Sequence, residues 1–325
     1  MKPVYRVVAN DDDVTRILRQ RLLQIDVIDE LDRTSDKLEL TLDDRDGDIV
    51  YPSKDVVLAV EIGYEGQTLV KQGSFTGLSV SLSGPPQQMV FHATAVDLRK
   101  SFKTKKNRGW DDVSLKDIAD TIAGEYGYTA VVDDFLAAIT FVHVDQVEQT
   151  DWQFLDKWVR FYDGFIKISA GHLVIGQRGG KRSVATGKLL PKIVAEFKKN
   201  LLRWDFDNTD KTRFLSVTAQ WRDLSTATTK SYTAGNGLPN LFVGDVANEA
   251  RAKQICDTRL KRLQRLESTA NIEIIGEPMA SSLAELEVKK LRDHVDGSYE
   301  ITRVHHSLTR SGGFVTKLTG ELPKS

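Results

Sequence analysis

The sequence predicts a mainly β protein with an α+β insertion: two similar β-barrel domains, a small α+β domain and one long helix. Apolar and polar residues alternate over much of the first hundred residues, which is typical of half-buried strands. Two capping boxes in the middle of the chain predict short helices. Two segments 224 residues apart share a pattern of strands and turns. If they form a true repeat, the chain holds two similar barrels.

The composition is that of a soluble globular protein. The chain has 325 residues, of which 40% are hydrophobic and 28% charged, and a formal net charge of −1. This length predicts roughly two domains, and the neutral balance argues against a nucleic-acid-binding surface. Cys256 is the only cysteine, so no internal disulfide is possible. We find neither a run of about 18 apolar residues nor a signal-peptide pattern, and we expect synthesis in a reducing cytoplasm without stable membrane insertion.

The first predicted barrel covers residues 1–105. A short helix is indicated at residues 14–23 by the spacing of its apolar residues. Leu38, Leu40 and Leu42 alternate with polar residues and predict a strand, which the acidic turn at 43–48 ends. Further strands are predicted at 56–62, 75–82 and 89–96.

The small α+β domain is predicted at residues 106–180, after a basic, flexible connection at 103–109. Ser114 with Asp117 begins one helix, and Thr150 with Gln153 begins a second, because these spacings allow capping boxes. A hairpin is predicted from 165–168 and 172–175, around a turn that contains glycine.

The second predicted barrel covers residues 181–325, and strands of the two barrels are allowed to interlock in sequence. A β-rich region at 189–232 precedes one long helix at about 245–266. Cys256 lies on that helix and is interpreted as a small apolar residue. Strands are then predicted at 272–275, 284–291, 298–308 and 314–322.

The repeat is carried by a Gly-Ser-aromatic entry that leads into a strand, a turn and a second strand. Phe75 follows Gly-Ser in the first copy, at 73–96, and Tyr299 follows Gly-Ser in the second, at 297–320. The repeat predicts that these two aromatic residues occupy matching places, as do Val80 and Val304, and that both valines are buried. The alternative is that any two β-meanders look alike.

The sequence contains no convincing catalytic, cofactor-binding or metal site, and it leaves the protein interface unknown. Neither a zinc-protease motif nor a nucleophile elbow nor a P-loop is present. His305 and His306 are neighbours on a predicted strand, so we expect one in the core and one exposed. A pair of carboxylates for glycoside cleavage is not ruled out, but nothing singles one out among 46 acidic residues.

Two charged segments can each be interpreted either as a binding site or as a solvated turn or loop without a ligand. Asp44, Asp46 and Asp48 resemble the start of a calcium loop, but Ile49 and Asp55 stand where that loop needs glycine and glutamate, which favours a solvated turn. The basic stretch at 100–108 could contact phosphates, with Phe102 and Trp110 nearby for stacking, whereas a solvated loop between domains fits the neutral net charge better.

The order and spacing of many short segments resemble the phage late control protein D family, the baseplate hub proteins of contractile tails. The N-terminal segments are LELTLDDRDG at 38–47, EIGYEG at 61–66, GSFT at 73–76, SGPP at 83–86, ATAVDLR at 93–99 and KTK at 103–105. The later segments are LKDI at 115–118, DQ at 145–146, DWQFL at 151–155 and YEITRVHH at 299–306. The resemblance covers nearly the whole chain and extends to the N-terminal part of VgrG spikes of type VI secretion systems.

The resemblance implies a structural protein of the virion tail baseplate, or of a tail-like particle, rather than an enzyme. It implies two interlocked β-barrels per chain and a homotrimer, whose six barrels match a hexameric tail tube on one side and a trimeric central spike on the other. Baseplate wedge proteins and the tape measure protein are further expected partners. Because the sequence ends at Ser325, we expect the spike to be a separate protein.

Two other classes of function are kept as alternatives. A tail-associated cell-wall hydrolase would need paired carboxylates or a metal in a cleft. A nucleic-acid-binding regulator would show salt-dependent binding to DNA. No cofactor and no specific nucleic acid is expected.

Overall fold

A computed structural model describes residues 1–31, 35–52, 56–95, 102, 104–169, 171–184, 186–208, 215–223, 225–246, 248–265, 268–311 and 313–322. The described chain is mainly β. Its strands are β1 (Pro3–Ala9), β2 (Asp12–Asp13), β3 (Leu22–Glu30), β4 (Lys37–Asp43), β5 (Val57–Tyr64), β6 (Val70–Ser83), β7 (Gln88–Thr94), β8 (Lys105–Ser114), β9 (Thr129–Val132), β10 (Thr140–Thr150), β11 (Gly164–Ser169), β12 (His172–Gln177), β13 (Ile193–Glu196), β14 (Leu201–Asn208), β15 (Ser216–Asp223), β16 (Thr228–Gly235), β17 (Asn240–Val246), β18 (Ser268–Ile275), β19 (Glu285–Lys289), β20 (Gly297–Thr309) and β21 (Gly313–Glu321). Its helices are α1 (Thr15–Arg21), α2 (Leu115–Glu125), α3 (Asp134–Ala137), α4 (Asp151–Phe161) and α5 (Glu249–Arg265).

The large sheet contains the same six-strand connectivity twice. In the first half the spatial order is β3-β4-β7-β6-β5-β1, and in the second half it is β14-β18-β21-β20-β19-β13. When the six strands of each half are numbered in chain order, leaving out the two-residue strand β2, both spatial orders are 2-3-6-5-4-1. The halves differ at one end, where β1 is antiparallel to β5 but β13 is parallel to β19.

The register of the two halves agrees residue by residue where the repeat was predicted. Phe75 lies opposite Leu58 on β5, and Tyr299 lies opposite Leu286 on β19. All four side chains are buried. The glycines two residues earlier, at 73 and 297, both have positive φ, 152° and 155°. The Gly-Ser-aromatic entry therefore occupies the same structural place in both halves.

The irregularities of the ladders also coincide. The register shifts between residues 77 and 79 in the first half and between 301 and 303 in the second. As a result Val80 lies opposite Phe91, and Val304 lies opposite Leu318. A second shift falls between residues 22 and 24 on β3 and between 201 and 203 on β14. The predicted equivalence of Val80 and Val304 is confirmed, and chance similarity of two meanders does not explain matching bulges.

Burial at these two positions is unequal. Val304 is fully buried, whereas Val80 is only partly buried against the core of its half. The prediction that both valines are buried was therefore wrong for Val80. The physical reason is that β3 covers the flank of β20 next to Val304, while β7 is the only described strand that pairs with β6 at Val80.

The described strands do not close into two separate barrels. β20 of the second half pairs with β3 of the first half, so one hydrogen-bonded path runs from β14 to β2 through both halves. The mainly β class is confirmed, whereas separate barrel domains are not seen among the described residues. Two hydrophobic cores, one under each half, still reflect the duplication.

The middle of the chain forms an α+β unit between the halves. Both predicted capping boxes are present, with Ser114 and Asp117 at α2 and Thr150 and Gln153 at α4. The two helices pack on β9, β11 and β12 and bury a mixed aromatic and aliphatic core. The predicted hairpin is β11 and β12.

Two boundary predictions were wrong. The basic segment at 103–109 is not a flexible connection where it is described, because residues 105–109 begin β8, which pairs with β10. The long helix does not begin at 245, because residues 245–246 end β17 and α5 starts at Glu249. The predicted last residue of this helix, Leu266, lies outside the described residues. So do residues 100, 101 and 103 of the basic stretch and residue 96 of the predicted strand at 89–96.

Helix α5 packs on a separate three-stranded sheet, β16-β15-β17, that the sequence did not reveal as a unit. Cys256 is fully buried in this small core, as expected for a small apolar side chain. Within the described part of the chain, no helix is long and apolar enough to cross a membrane.

Candidate functional site

The acidic turn after β4 is held by arginine rather than arranged for a cation. Arg21 donates to both carboxylate oxygens of Asp46, at 2.6 and 2.7 Å, and holds the pKa of Asp46 down to about 2. Asp44 accepts from the backbone N–H of Ile49 at 3.1 Å. Among the described residues no group of three or more His, Cys, Asp or Glu side chains is placed to hold a metal. The geometry favours a hydrogen-bonded turn, in which Asp46 is half-exposed as expected but Asp44 is buried.

The neighbouring histidines of β20 point to opposite faces, as expected from the strand. His306 is 1% exposed and lies between the Thr316 hydroxyl and the Ala280 carbonyl, and burial lowers its pKa to about 4. His305 lies on the other face, 2.7 Å from the Asp26 carboxylate of β3. Both histidines therefore join strands: His306 lies in the core as expected, and His305 is partly exposed and lines a shallow surface pocket beside Arg303 and Lys317.

Two of the three basic residues of β8 are neutralised within the α+β unit. Lys106 and Arg108 each contact both Glu125 and Asp151, at 2.5 to 2.7 Å. Burial acts to raise the pKa of Asp151, but hydrogen bonds from Lys106, Gln146 and other neighbours hold it below its ordinary value. Because acidic partners engage both cations, this segment is a poor phosphate-binding surface.

A charged clamp joins the α+β unit to the large sheet. Lys167 of β11 donates to Asp29 of β3 at 2.8 Å and lies 3.2 Å from Asp36. Asp29 also accepts from the backbone N–H and the hydroxyl of Ser282, both at 2.7 Å. The clamp therefore connects three distant parts of the chain.

The two carboxyls of the clamp have opposite pKa shifts. Burial acts to raise both pKa values, but the Lys167 ammonium lowers that of Asp29 to about 2. The pKa of Asp36 rises to about 7, because burial and the neighbouring Asp29 charge outweigh its contact with Lys167. The pair thus shares one cation, which favours ionisation of Asp29 over that of Asp36. The clamp fixes the orientation of the inserted unit rather than performing chemistry.

Two strand edges are the strongest candidate for a functional surface. Over residues 79–83, β6 pairs only with β7, and β14 pairs only with β18, as far as the described strands extend. Apolar side chains stand exposed on both: Leu82 is 55% exposed on β6, and Trp204 is 41% exposed on β14. An exposed edge with large apolar side chains is a template for pairing with another chain.

These two edges could not be predicted from the local sequence. Leu82 belongs to a strand that was correctly predicted, but one strand alone does not tell which of its edges lacks a neighbour. The repeat was the one useful signal, because equivalent residues of the two halves should have similar surroundings. Where their exposure differs, one half lacks a neighbouring strand that the other half has.

The chain is similar in sequence to a phage baseplate protein. No protein-family model matches it. The probable baseplate hub protein of Escherichia phage 186 is 27% identical over 221 residues, which are 68% of this chain and 56% of that protein. The chain thus matches little more than half the length of this curated relative.

Solved tail-protein structures share the fold. The 43 kDa tail protein of prophage MuSo2 from Shewanella oneidensis is 14% identical, with a TM-score of 0.74 over 99% of this chain and 98% of that one. An E. coli type VI secretion component, c3393, is 8% identical, with a TM-score of 0.60 over 94% of this chain and 74% of that one. The predicted resemblance to baseplate hub proteins and to the secretion spike is confirmed.

Proposed function

We propose that this chain is a structural hub of a contractile phage-type tail baseplate, acting as an adaptor between a hexameric tail tube and a trimeric central spike. The observation that carries the proposal is the six-strand connectivity present twice in one chain. Three copies of such a chain present six similar units around a threefold axis, which is the arrangement a threefold-to-sixfold adaptor needs. The sequence similarity to a probable baseplate hub protein supports it.

The proposed assembly has definite parts. Each half of the sheet contributes one barrel-like unit, with residues 1–105 supplying most of the first and 181–325 most of the second. Residues 106–180 form the inserted α+β domain. The partners are two further copies of the chain, the tail tube protein, the spike and the baseplate wedge proteins, with the tape measure protein as a further candidate. The site of action is the tail baseplate of the virion or tail-like particle.

The test of this proposal is the stoichiometry of the purified chain and of the particle. Light scattering at increasing protein concentration should show a species of three chains, either alone or with the spike protein added. Cross-linking within intact tails, read by mass spectrometry, should place the chain next to the tube and spike proteins. A strict dimer, or a particle in which the chain contacts neither protein, would contradict the adaptor role.

The alternative is a tail-associated cell-wall hydrolase, which we do not favour. The carboxylate clusters of the described chain are held by arginine and lysine partners, as at Asp46, Asp151 and Asp29, and so they are positioned as structural ion pairs. A peptidoglycan zymogram decides between the two: clearing that a single carboxylate substitution abolishes would favour the hydrolase.

A further inference from the structure

The contact between the two halves of the chain provides a template for a contact between chains. Within the chain, β20 of the second half pairs antiparallel with β3 of the first, with His306 opposite Val27 and Ser307 opposite Asp26. The counterpart of β20 is β6, and the counterpart of β3 is β14. One edge of β6 at residues 79–83 and one edge of β14 have no other described strand beside them.

We propose that β6 of one copy pairs antiparallel with β14 of a second copy, with Leu82 opposite Phe206 and Ser83 opposite Asp205. The register follows from the bulges that align the two halves: Leu82 corresponds to His306, and Phe206 corresponds to Val27. The occupant of each edge is therefore a second copy of this chain. This inference rests on the proposed ring of three chains and specifies how its neighbours join.

Differences in exposure between counterparts mark the missing neighbour. Leu82 is 55% exposed, whereas its counterpart His306 is 1% exposed. Trp204 is 41% exposed, whereas its counterpart Ile25 is fully buried. In each case the buried member lies where β3 and β20 meet and the exposed member lies on a strand without that neighbour. Burying these apolar side chains against a second copy would supply a favourable free energy of association.

The polar face of the contact is repeated as well. In the internal pairing, Ser307 lies opposite Asp26, and Gln24 donates to both side chains, at 3.2 and 2.7 Å. The counterparts are Ser83 and Asp205, again a serine and an aspartate. Antiparallel opposite residues have Cβ atoms about 4.5–5.5 Å apart, close enough for a hydroxyl to meet a carboxylate. The same polar pair thus stands on both edges of the proposed contact.

This pairing is heterologous, because the two edges of one chain are different surfaces. A head-to-tail contact closes into a ring only if its rotation divides the circle, and otherwise grows into a filament. Because the internal contact already relates one half to the next, repeating it between chains yields a ring in which every junction between halves is similar. Three chains then give six such junctions.

The test is a disulfide across the predicted register. The double variant Leu82→Cys/Phe206→Cys, oxidised under mild conditions, should give covalent species of up to three chains on a non-reducing gel, because facing antiparallel positions fall within disulfide range. The matched control is Ser81→Cys/Phe206→Cys, in which the first thiol points to the opposite face of the strand and should not cross-link. The native Cys256 is buried, and each single variant measures its background.

The outcomes separate this inference from the proposed function. A trimer by light scattering without the Leu82–Phe206 cross-link, or with equal cross-linking in the control, would overturn the strand pairing while leaving the hub role standing. A chain that stays monomeric, even with the spike protein present, and yields no cross-link would count against both.

A second variant tests the same contact in case the double cysteine variant does not fold. Leu82→Arg places a charge on an exposed side chain, so the fold should be retained, but the charge would be buried against the second copy. We expect the dissociation constant of the trimer to rise on the order of tenfold or more. The control is Val142→Arg, which is equally exposed or more so but lies on β10, away from both edges. Unchanged trimer stability in Leu82→Arg would refute the contact.

Discussion

Replacing Lys167 by methionine should test whether the charged clamp holds the inserted unit on the sheet. The change keeps most of the side-chain length but removes the only cation that contacts both Asp29 and Asp36 among the described residues. Removing one partner of a buried ion pair typically costs about 3–5 kcal/mol. Because Lys167, Asp29 and Asp36 retain 13–21% side-chain exposure, we expect the lower end, about 3 kcal/mol at pH 7.

The cost of Lys167→Met in unfolding free energy should depend on pH, because the pKa of Asp29 differs between the folded and unfolded protein. Asp29 titrates at about 2 in the folded protein, so the clamp contributes stability above the unfolded pKa of about 4 and loses it as the pH falls toward 2. Without Lys167 the pKa of Asp29 should rise, and protonation should relieve the buried charge. The difference in unfolding free energy between wild type and Lys167→Met should therefore shrink from pH 7 to pH 4.

The assay is urea denaturation followed by circular dichroism, at low protein concentration to limit assembly. The control is Lys192→Met, which removes a half-exposed lysine that also contacts two carboxylates, Glu285 and Glu287, and should cost less than about 1 kcal/mol. A cost for Lys167→Met equal to that of the control, or one that does not change with pH, would refute the clamp.

Three further predictions concern the packing and the titration of the sheet and the helices. Val304→Ala should lower the unfolding free energy by about 1–3 kcal/mol and Val80→Ala by less than about 1 kcal/mol in dilute solution, because only Val304 is fully buried; equal losses in urea titrations would contradict this. The folded pKa of His306 is about 4, so its protonation should cost about 3 kcal/mol of stability as the pH falls from about 6.5 to 4, while protonation of Asp36 acts in the opposite direction; the excess stability of wild type over His306→Gln should therefore fall by about that amount. Thr150→Ala should cost about 1 kcal/mol through the lost cap of α4, with a lower melting temperature as the readout.

The sequence predicted local structure well where short-range chemistry decides it. Both capping boxes were found, since a hydroxyl and a carboxylate or amide three residues apart satisfy each other's backbone donors wherever the helix lies. The Gly-Ser-aromatic entries were also found, because glycine, turn and alternating residues fall close together in the chain. Their equivalence could then be predicted without knowing either sheet.

Long-range pairing decided what the sequence did not predict. No local sequence pattern indicates that β20 pairs with β3, more than 270 residues away, and thereby joins the two halves into one continuous sheet. Lys167 drew no notice, because its partners Asp29 and Asp36 are more than 130 residues away. The basic segment at 105–109 looked like a loop because its charges are paired by Glu125 and Asp151 in space rather than by its neighbours in sequence.

The duplication also explains why this chain has exposed edges at all. Besides the edge of its first strand, a single copy of the six-strand unit has an edge on its second strand and an edge on the later part of its fifth strand. Joining two units in one chain pairs β3 with β20 and leaves the corresponding edges of β14 and of β6 at residues 79–83 without a described neighbour. β14 carries charged residues and prolines follow β6, yet large apolar side chains remain exposed on both edges: Leu82 and Trp204. Exposed apolar side chains on both edges are consistent with a chain that buries them only in a closed ring, where β6 of one copy meets β14 of the next.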